Sequence, residues 1–219
     1  MGKNHGERCK IFIVDDHPLV RQGLEMLINQ QPGLRVVGEA ADAQQAMAGI
    51  AQSKPDLAII DLSLKGIDGL ELTKSLKKQY PKLAVLILSM YDEAVYAERA
   101  LKAGARGYIM KSEANQELLN AIQRVIQGKV YLSDNFSSLL LEKIVARDSG
   151  DKTLLIETLS DREMEVMRLV GLGKKNQEIA SLMGLSNKTV QVYKEKIKSK
   201  LNLKSTAELT RYAINWLKG

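Results

Sequence analysis

Three aspartates, a serine and a lysine each close an apolar run. Asp15 and Asp16 follow Ile11-Phe12-Ile13-Val14, Asp61 follows Leu57-Ala58-Ile59-Ile60, Ser89 follows Ala84-Val85-Leu86-Ile87-Leu88, and Lys111 follows Gly107-Tyr108-Ile109-Met110. If those runs are parallel strands of one sheet, four loops deliver the five groups to its carboxyl edge, where open α/β sheets gather ligands. Carboxylates brought together repel, and a hard divalent cation with oxygen ligands relieves them; few protein ligands and retained water favour Mg2+. The lysine adds a fixed donor for phosphate oxygens. Taken alone, a strand-end aspartate such as Asp61 is more often a helix cap or a turn residue.

A second group of residues suits a different chemistry. On a helical wheel over residues 187–201, Val190, Tyr193, Lys194, Ile197 and Leu201 lie along one side, and Lys188, Gln191, Val192, Glu195, Lys196 and Ser199 along the other. Glutamine can pair with adenine, valine can touch a thymine methyl, glutamate accepts from cytosine and lysine reaches guanine, so the polar side suits a major groove. Lys174, Lys175, Lys198, Lys200 and Lys204 flank it as candidates for phosphate neutralisation. A solvated helix face is the plainer alternative for those lysines. Ala180 lets two helices approach, Gly184 supplies a turn and Ser186 can cap the second helix, which marks a helix-turn-helix over 176–195. Ile179, Leu182, Leu185, Val190, Ile197 and Leu201 fall where its core needs apolar groups.

The elements that must carry these residues are legible in the periodicity. Short apolar runs at 11–14, 35–38, 57–60, 84–88 and 107–110 alternate with helical spacing over 18–30, 43–52, 69–79, 91–103 and 114–126. Strands that are apolar on both sides escape water only in a parallel sheet covered on both faces, so the fold class is α/β, a doubly wound five-stranded parallel sheet of the flavodoxin-like kind. It spans residues 8–128. Residues 129–157 form a linker, partly helical over 132–145. Residues 158–219 carry no strand signal, only helices over 161–172, 176–183, 187–201 and 206–217, a small all-α unit.

Composition excludes several classes. Hydrophobic residues make up 45% and charged residues 26%, and no apolar stretch is long enough to span a bilayer. A polar beginning without the apolar core of a signal peptide, and a single cysteine, Cys9, point to a reducing compartment. The net charge of +6 is unevenly placed: residues 1–157 balance, and the whole excess falls in residues 158–219. A basic end is what a domain meeting a polyanion requires.

Asp15-Asp16, Asp61, Ser89 and Lys111 at these strand ends resemble the signature of two-component receiver domains, over roughly residues 10–128. The resemblance implies that Asp61 accepts a phosphoryl group, that Asp16, Asp61 and the backbone carbonyl of Ser63 hold Mg2+ with Asp15 assisting, and that Lys111 and Ser89 contact the phosphoryl oxygens. Tyr108 would swing inward as the switch aromatic. One departure is Lys65, where this receiver class commonly has proline, which affects the loop after Asp61.

Leu159-Ser160-Asp161-Arg162-Glu163, Glu178-Ile179-Ala180, Lys188-Thr189-Val190 and Lys200-Leu201 resemble the luxR-type DNA-binding domain. The whole chain is similar to the NarL/FixJ class of response regulators, transcription factors that bind paired half-sites as dimers. By that likeness Lys188, Thr189 and the residues from Gln191 to Glu195 (Gln191, Val192, Tyr193, Lys194, Glu195) face DNA, with Lys196, Lys198 and Lys200 beside them. Tyr193 stands where histidine is common and Glu195 where a basic residue is frequent.

The resulting expectation is a cytoplasmic, DNA-binding transcriptional regulator activated by phosphorylation at Asp61. Its partners would be duplex DNA, a histidine kinase as phosphodonor, a second copy on DNA and RNA polymerase, with no membrane. Leu209, Tyr212, Ala213 and Trp216 on the final helix are candidates for the isologous surface. Turnover of an external substrate is not expected, self-dephosphorylation aside. Two alternatives stand beside it: a DNA-binding regulator whose receiver works independently of phosphorylation, and an aspartate-nucleophile phosphatase. The second needs a carboxylate two residues past the nucleophile, where Ser63 stands.

Overall fold

The computed structural model describes residues 8–64, 68–138, 140 and 155–217. Lys65, the linker residues 141–154 and the last two residues of the chain lie outside them. The chain divides into two compact units, Met1–Ile144 and Val145–Gly219.

In the first unit β1 (Cys9–Val14), β2 (Leu34–Ala40), β3 (Leu57–Ile60), β4 (Ala84–Ser89) and β5 (Gly107–Met110) alternate with five helices. These are α1 (Pro18–Asn29), α2 (Ala43–Ser53), α3 (Gly69–Gln79), α4 (Glu93–Ala103) and α5 (Ala114–Ile126). All strand pairs are parallel, in the order β2-β1-β3-β4-β5, the doubly wound sheet the apolar runs require. Ile11, Ile13, Leu57, Ile59, Leu86, Leu88 and Ile109 point to one face, where they meet Leu24 and Ile28 of α1 and Leu118, Ile122 and Val125 of α5. Each is buried, so truncating one to alanine costs about 2–5 kcal/mol. Helix starts follow short polar caps: Asp42, Asp68 and Asp92 each accept a backbone N–H from the first turn that follows.

The strand order places the ends of β1 and β3 side by side, because the connection crosses over between them. That crevice is where side chains from different loops converge.

Residues past α5 do not all leave the sheet. Tyr131 forms a parallel bridge with Gly107: its N–H donates to the Arg106 carbonyl at 2.9 Å, and its own carbonyl accepts from Tyr108 N–H at 3.1 Å. Tyr131 and Phe136 are buried, and residues 134–138 are helical. The first part of the expected linker is therefore fastened to the free edge of β5, which would otherwise expose unpaired backbone groups.

The second unit holds a 3-10 turn (Ile156–Thr158), then α6 (Asp161–Gly171), α7 (Asn176–Met183), α8 (Asn187–Lys200) and α9 (Thr206–Leu217). A reciprocal capping box starts α6: Ser160 N–H donates to Glu163 Oε2 at 2.7 Å, and Glu163 N–H donates to Ser160 Oγ at 3.3 Å. Met164, Val166, Met167, Ile179, Met183, Val190, Ile197, Leu201, Leu209 and Ala213 form its core.

Two expectations change here. Leu182 is 65% exposed, because α7 turns Ile179, Ala180 and Met183 inward and leaves Leu182 to one side. Leu209 and Ala213 are buried; so short a bundle needs the apolar stripe of α9 for its own core, so they offer no surface to a second copy. Tyr212 and Trp216 are part-exposed.

Candidate functional site

The sheet edge brings together the five groups that the strand ends promised. Nζ of Lys111 lies 2.8 Å from Oδ2 of Asp61 and 2.6 Å from Oδ2 of Asp15. Lys111 N–H also donates to the Ser89 carbonyl at 2.7 Å, so the turn after β5 is tied to the end of β4. Asp61, Asp15 and Ser89 are buried. Burial pushes the Asp61 carboxyl above the usual range and the charge of Asp15 adds to this, while Lys111 and the Ser63 N–H pull the other way. Burial likewise disfavours the Lys111 ammonium, yet Asp61 and Asp15 outweigh it and hold the group above its ordinary value.

Ligand atoms of Asp15, Asp16, His17 and Asp61 all lie within 4.8 Å of one another. Oδ2 of Asp15 and Oδ1 of Asp16 are buried without an aligned hydrogen-bond donor, although Lys111 and His17 stand at ion-pair distance, 2.6 and 2.7 Å. Buried carboxylate oxygens with capacity left over suit a metal, so this acidic pocket is consistent with a cation site and its oxygen-rich donor set fits a hard one.

Two members of the pocket were not among the sequence candidates. His17 joins it through its backbone N–H, which donates to Asp15 Oδ1 at 2.8 Å; its place directly after Asp16 was the only signal. Arg21 Nη1 donates to the Asp15 carbonyl at 2.7 Å, which orients the aspartate pair from α1.

Gly69 sets the distance between α3 and the pocket. A Cβ there would run into the Asp61 carbonyl oxygen, so glycine lets the helix start against the backbone of the aspartate. A glycine directly after the capping Asp68 was visible in the sequence, but its contact was not.

Tyr108 points inward and is fully buried. Its hydroxyl donates to the Tyr91 carbonyl at 2.8 Å, and Tyr91 N–H donates to Ser89 Oγ at 3.1 Å. Burial drives the phenol far above its ordinary pKa. Ser89 and Tyr108 thus share one short segment of the loop that leads into α4.

On the basic unit, Gly184 closes α7 in the left-handed region at φ 63° and Ser186 Oγ accepts from Thr189 N–H at 3.1 Å. The turn and cap of the helix-turn-helix therefore sit where expected. Lys188, Gln191, Val192, Glu195 and Lys196 are exposed, and Thr189 and Tyr193 are partly so.

Two lysines depart from the expected DNA face. Lys194 is 8% exposed, and its Nζ donates to Asn176 Oδ1 at 2.5 Å; its position on the wheel beside Val190 and Ile197 turns it inward, and burial lowers its pKa. Lys200 Nζ is taken by Glu163 Oε2 at 2.6 Å and the Thr158 carbonyl at 3.0 Å, so it fastens the end of α8 to the start of the unit. Lys198 is half-buried and paired at 2.9 Å with Glu195, itself a member of the expected face.

Comparison with known proteins agrees with this geometry. Residues 11–123 match the family model "Response regulator receiver domain" and residues 157–213 match "Bacterial regulatory proteins, luxR family". The chain is 37% identical over 210 residues to the oxygen regulatory protein NreC of Staphylococcus epidermidis, covering 94% of this chain and 96% of that one. It is 30% identical to RcsB of Salmonella enterica serovar Typhimurium bound to promoter rprA with a BeF3− phosphomimetic, at a TM-score of 0.62, covering 94% of this chain and 98% of that one. A structure of two RcsB dimers bound to two parallel DNAs is similar at 29% identity and a TM-score of 0.59, covering 94% and 98%. Among the described residues no helix is long and apolar enough to cross a membrane.

Proposed function

Because the chain belongs to the NarL/FixJ class of two-component, DNA-binding response regulators, a receiver followed by a luxR-family domain, we propose that its switch is phosphorylation of Asp61. The observation that carries this is the pairing of Lys111 Nζ with Asp61 Oδ2 at 2.8 Å beside the buried Asp15. The donor is the phosphohistidine of a kinase: a bond forms between an Asp61 carboxylate oxygen and phosphorus as the bond to the histidine nitrogen breaks. Lys111 then binds phosphoryl oxygens in place of the carboxylate. Ser89 turns its hydroxyl toward the same oxygens and releases Tyr91 N–H, and Tyr108 is positioned to respond because it shares that loop. Asp15, Asp16, Asp61 and the carbonyl of Ser63 would hold Mg2+, which when bound neutralises charge on the phosphoryl oxygens.

The output is sequence-selective duplex binding through Lys188, Thr189, Gln191, Val192, Tyr193, Glu195 and Lys196, with two copies on paired half-sites in the cytoplasm. Lys188, exposed at the start of α8, is a phosphate or guanine contact; Lys194 and Lys200, whose ammonium groups are engaged inside the unit, are left out.

Intact-mass measurement after incubation with acetyl phosphate and Mg2+ tests the switch. One phosphoryl group should appear on the native chain and none on Asp61→Asn, and affinity for selected duplexes should rise only in the former. Equal affinity with and without the donor would mean that DNA binding is independent of phosphorylation.

A further inference from the structure

Four side chains of the second unit form one continuous line of hydrogen bonds. Lys194 Nζ donates to Asn176 Oδ1 at 2.5 Å, Asn176 Nδ2 donates to Gln191 Oε1 at 3.2 Å, and Gln191 Nε2 donates to Glu195 Oε1 at 3.0 Å. The two ends are charged and of opposite kinds. An ammonium only donates and a carboxylate only accepts, so Asn176 must turn its oxygen to Lys194 and Gln191 must turn its NH2 to Glu195. Both requirements give the central contact the same direction, NH2 of Asn176 to oxygen of Gln191. The orientation of the Gln191 amide is therefore determined from both sides.

Gln191 is exposed, while Lys194 at the far end of the line is buried. Each end of the Gln191 amide keeps one hydrogen-bonding site in reserve, a second hydrogen on Nε2 and a second lone pair on Oε1. Those two sites are what a bidentate contact with the N7 and N6 edge of adenine uses. Reversing the amide would present them in the opposite order along the groove.

We propose that Lys194 and Asn176 are specificity-positioning residues: without touching DNA, they set the donor–acceptor order that Gln191 presents to a base. The inference rests on the reading of Gln191 as a base-reading residue. A lysine that only filled space or neutralised phosphate would not need an amide partner aligned with the exposed glutamine. An exposed glutamine without this line could present either end.

The test uses the full-length chain with acetyl phosphate and Mg2+, and a pool of duplexes randomised over about 20 base pairs, enough for two half-sites one helical turn apart. Bound fractions are sequenced for native protein, Gln191→Ala, Lys194→Met, Lys194→Arg, Asn176→Asp and the Gln191→Ala/Lys194→Met pair, each checked for cooperative unfolding. Gln191→Ala should cut discrimination at one base pair per half-site about tenfold. Lys194→Met should cut it at the same base pair, with the remaining positions unchanged, and should add nothing in the Gln191→Ala background. Lys194→Arg should restore it.

Asn176→Asp keeps the acceptor for Lys194 but turns the donor facing Gln191 into an acceptor, so it should weaken the same preference; it carries the test alone if Lys194→Met does not fold. Affinity lost equally on every sequence, or additive effects in the double variant, would overturn the proposal. So would a selective Gln191→Ala beside unaltered profiles for Lys194→Met and Asn176→Asp, which leaves Gln191 as a reader. An unaltered profile for Gln191→Ala removes the base-reading role itself.

Discussion

The backbone N–H of Ser133 donates to Oε1 of Glu93 at 2.9 Å, and Glu93 is buried. The chain that leaves the first unit is thereby tied to the first turn of α4, just past the Ser89 loop. With the Tyr131 bridge to β5, this gives the departing strap two attachments, one to β5 and one to α4. Tyr108 N–H itself donates to the Tyr131 carbonyl at 3.1 Å, so Tyr108 and the strap share a main-chain hydrogen bond.

Glu93→Ala removes the acceptor for Ser133 and should cost about 1–3 kcal/mol. Residue-resolved hydrogen exchange is the check: the amides of Tyr131 and Ser133 should exchange faster while Asp61 still takes up phosphoryl. Unchanged exchange at Ser133 would show that Glu93 does not hold the strap.

Tyr108→Phe keeps the ring and deletes the hydroxyl that donates to the Tyr91 carbonyl. The first unit should lose about 0.5–1.5 kcal/mol in denaturant unfolding. A larger loss would mean that the ring itself has moved.

Gly69→Ala forces a methyl group against the Asp61 carbonyl. The start of α3 must shift, at a cost of about 1–3 kcal/mol, and phosphoryl uptake from acetyl phosphate should slow because Asp61 moves with its backbone. Uptake at the native rate with full stability would contradict this role.

Glu163 links stability to acid. Burial alone would raise its carboxyl, but the Lys200 ammonium and the N–H and hydroxyl of Ser160 outweigh burial and hold it below 4.5. A folded value below the unfolded one means that the carboxylate stabilises the unit above about pH 4.5 and that this contribution is lost as pH falls through the folded value. Glu163→Gln keeps a capping side chain but loses the ion pair, so near neutrality it should unfold more easily by on the order of 1 kcal/mol. The difference in Tm between the two proteins should shrink as pH drops below about 4.5; a constant difference would show that the charge is not what matters.

Much of this was legible in the chain itself. Strand runs such as Ile11–Val14 and a cap such as Ser186 act on neighbours a few residues away, so their signals are local and survive without a fold. The clustering of Asp15, Asp61 and Lys111 was inferable too, since parallel strands with helical crossovers send their carboxyl ends to one edge. The place of Lys194 was less so: its wheel position allowed an inward turn, but a buried lysine needs an acceptor, and that acceptor comes from Asn176 on another helix.

The sequence by itself determined the two-domain architecture, the acidic pocket with its lysine and the basic helix-turn-helix, because hydrophobic period, capping residues and charge are properties of short stretches. Only the tertiary structure decided which polar groups meet across elements: Ser133 on Glu93, Lys200 on Glu163, Lys194 on Asn176 and, through it, the orientation of Gln191. A hydrogen bond depends on a few tenths of an ångström between atoms far apart in the chain, and no pattern along the chain carries that distance.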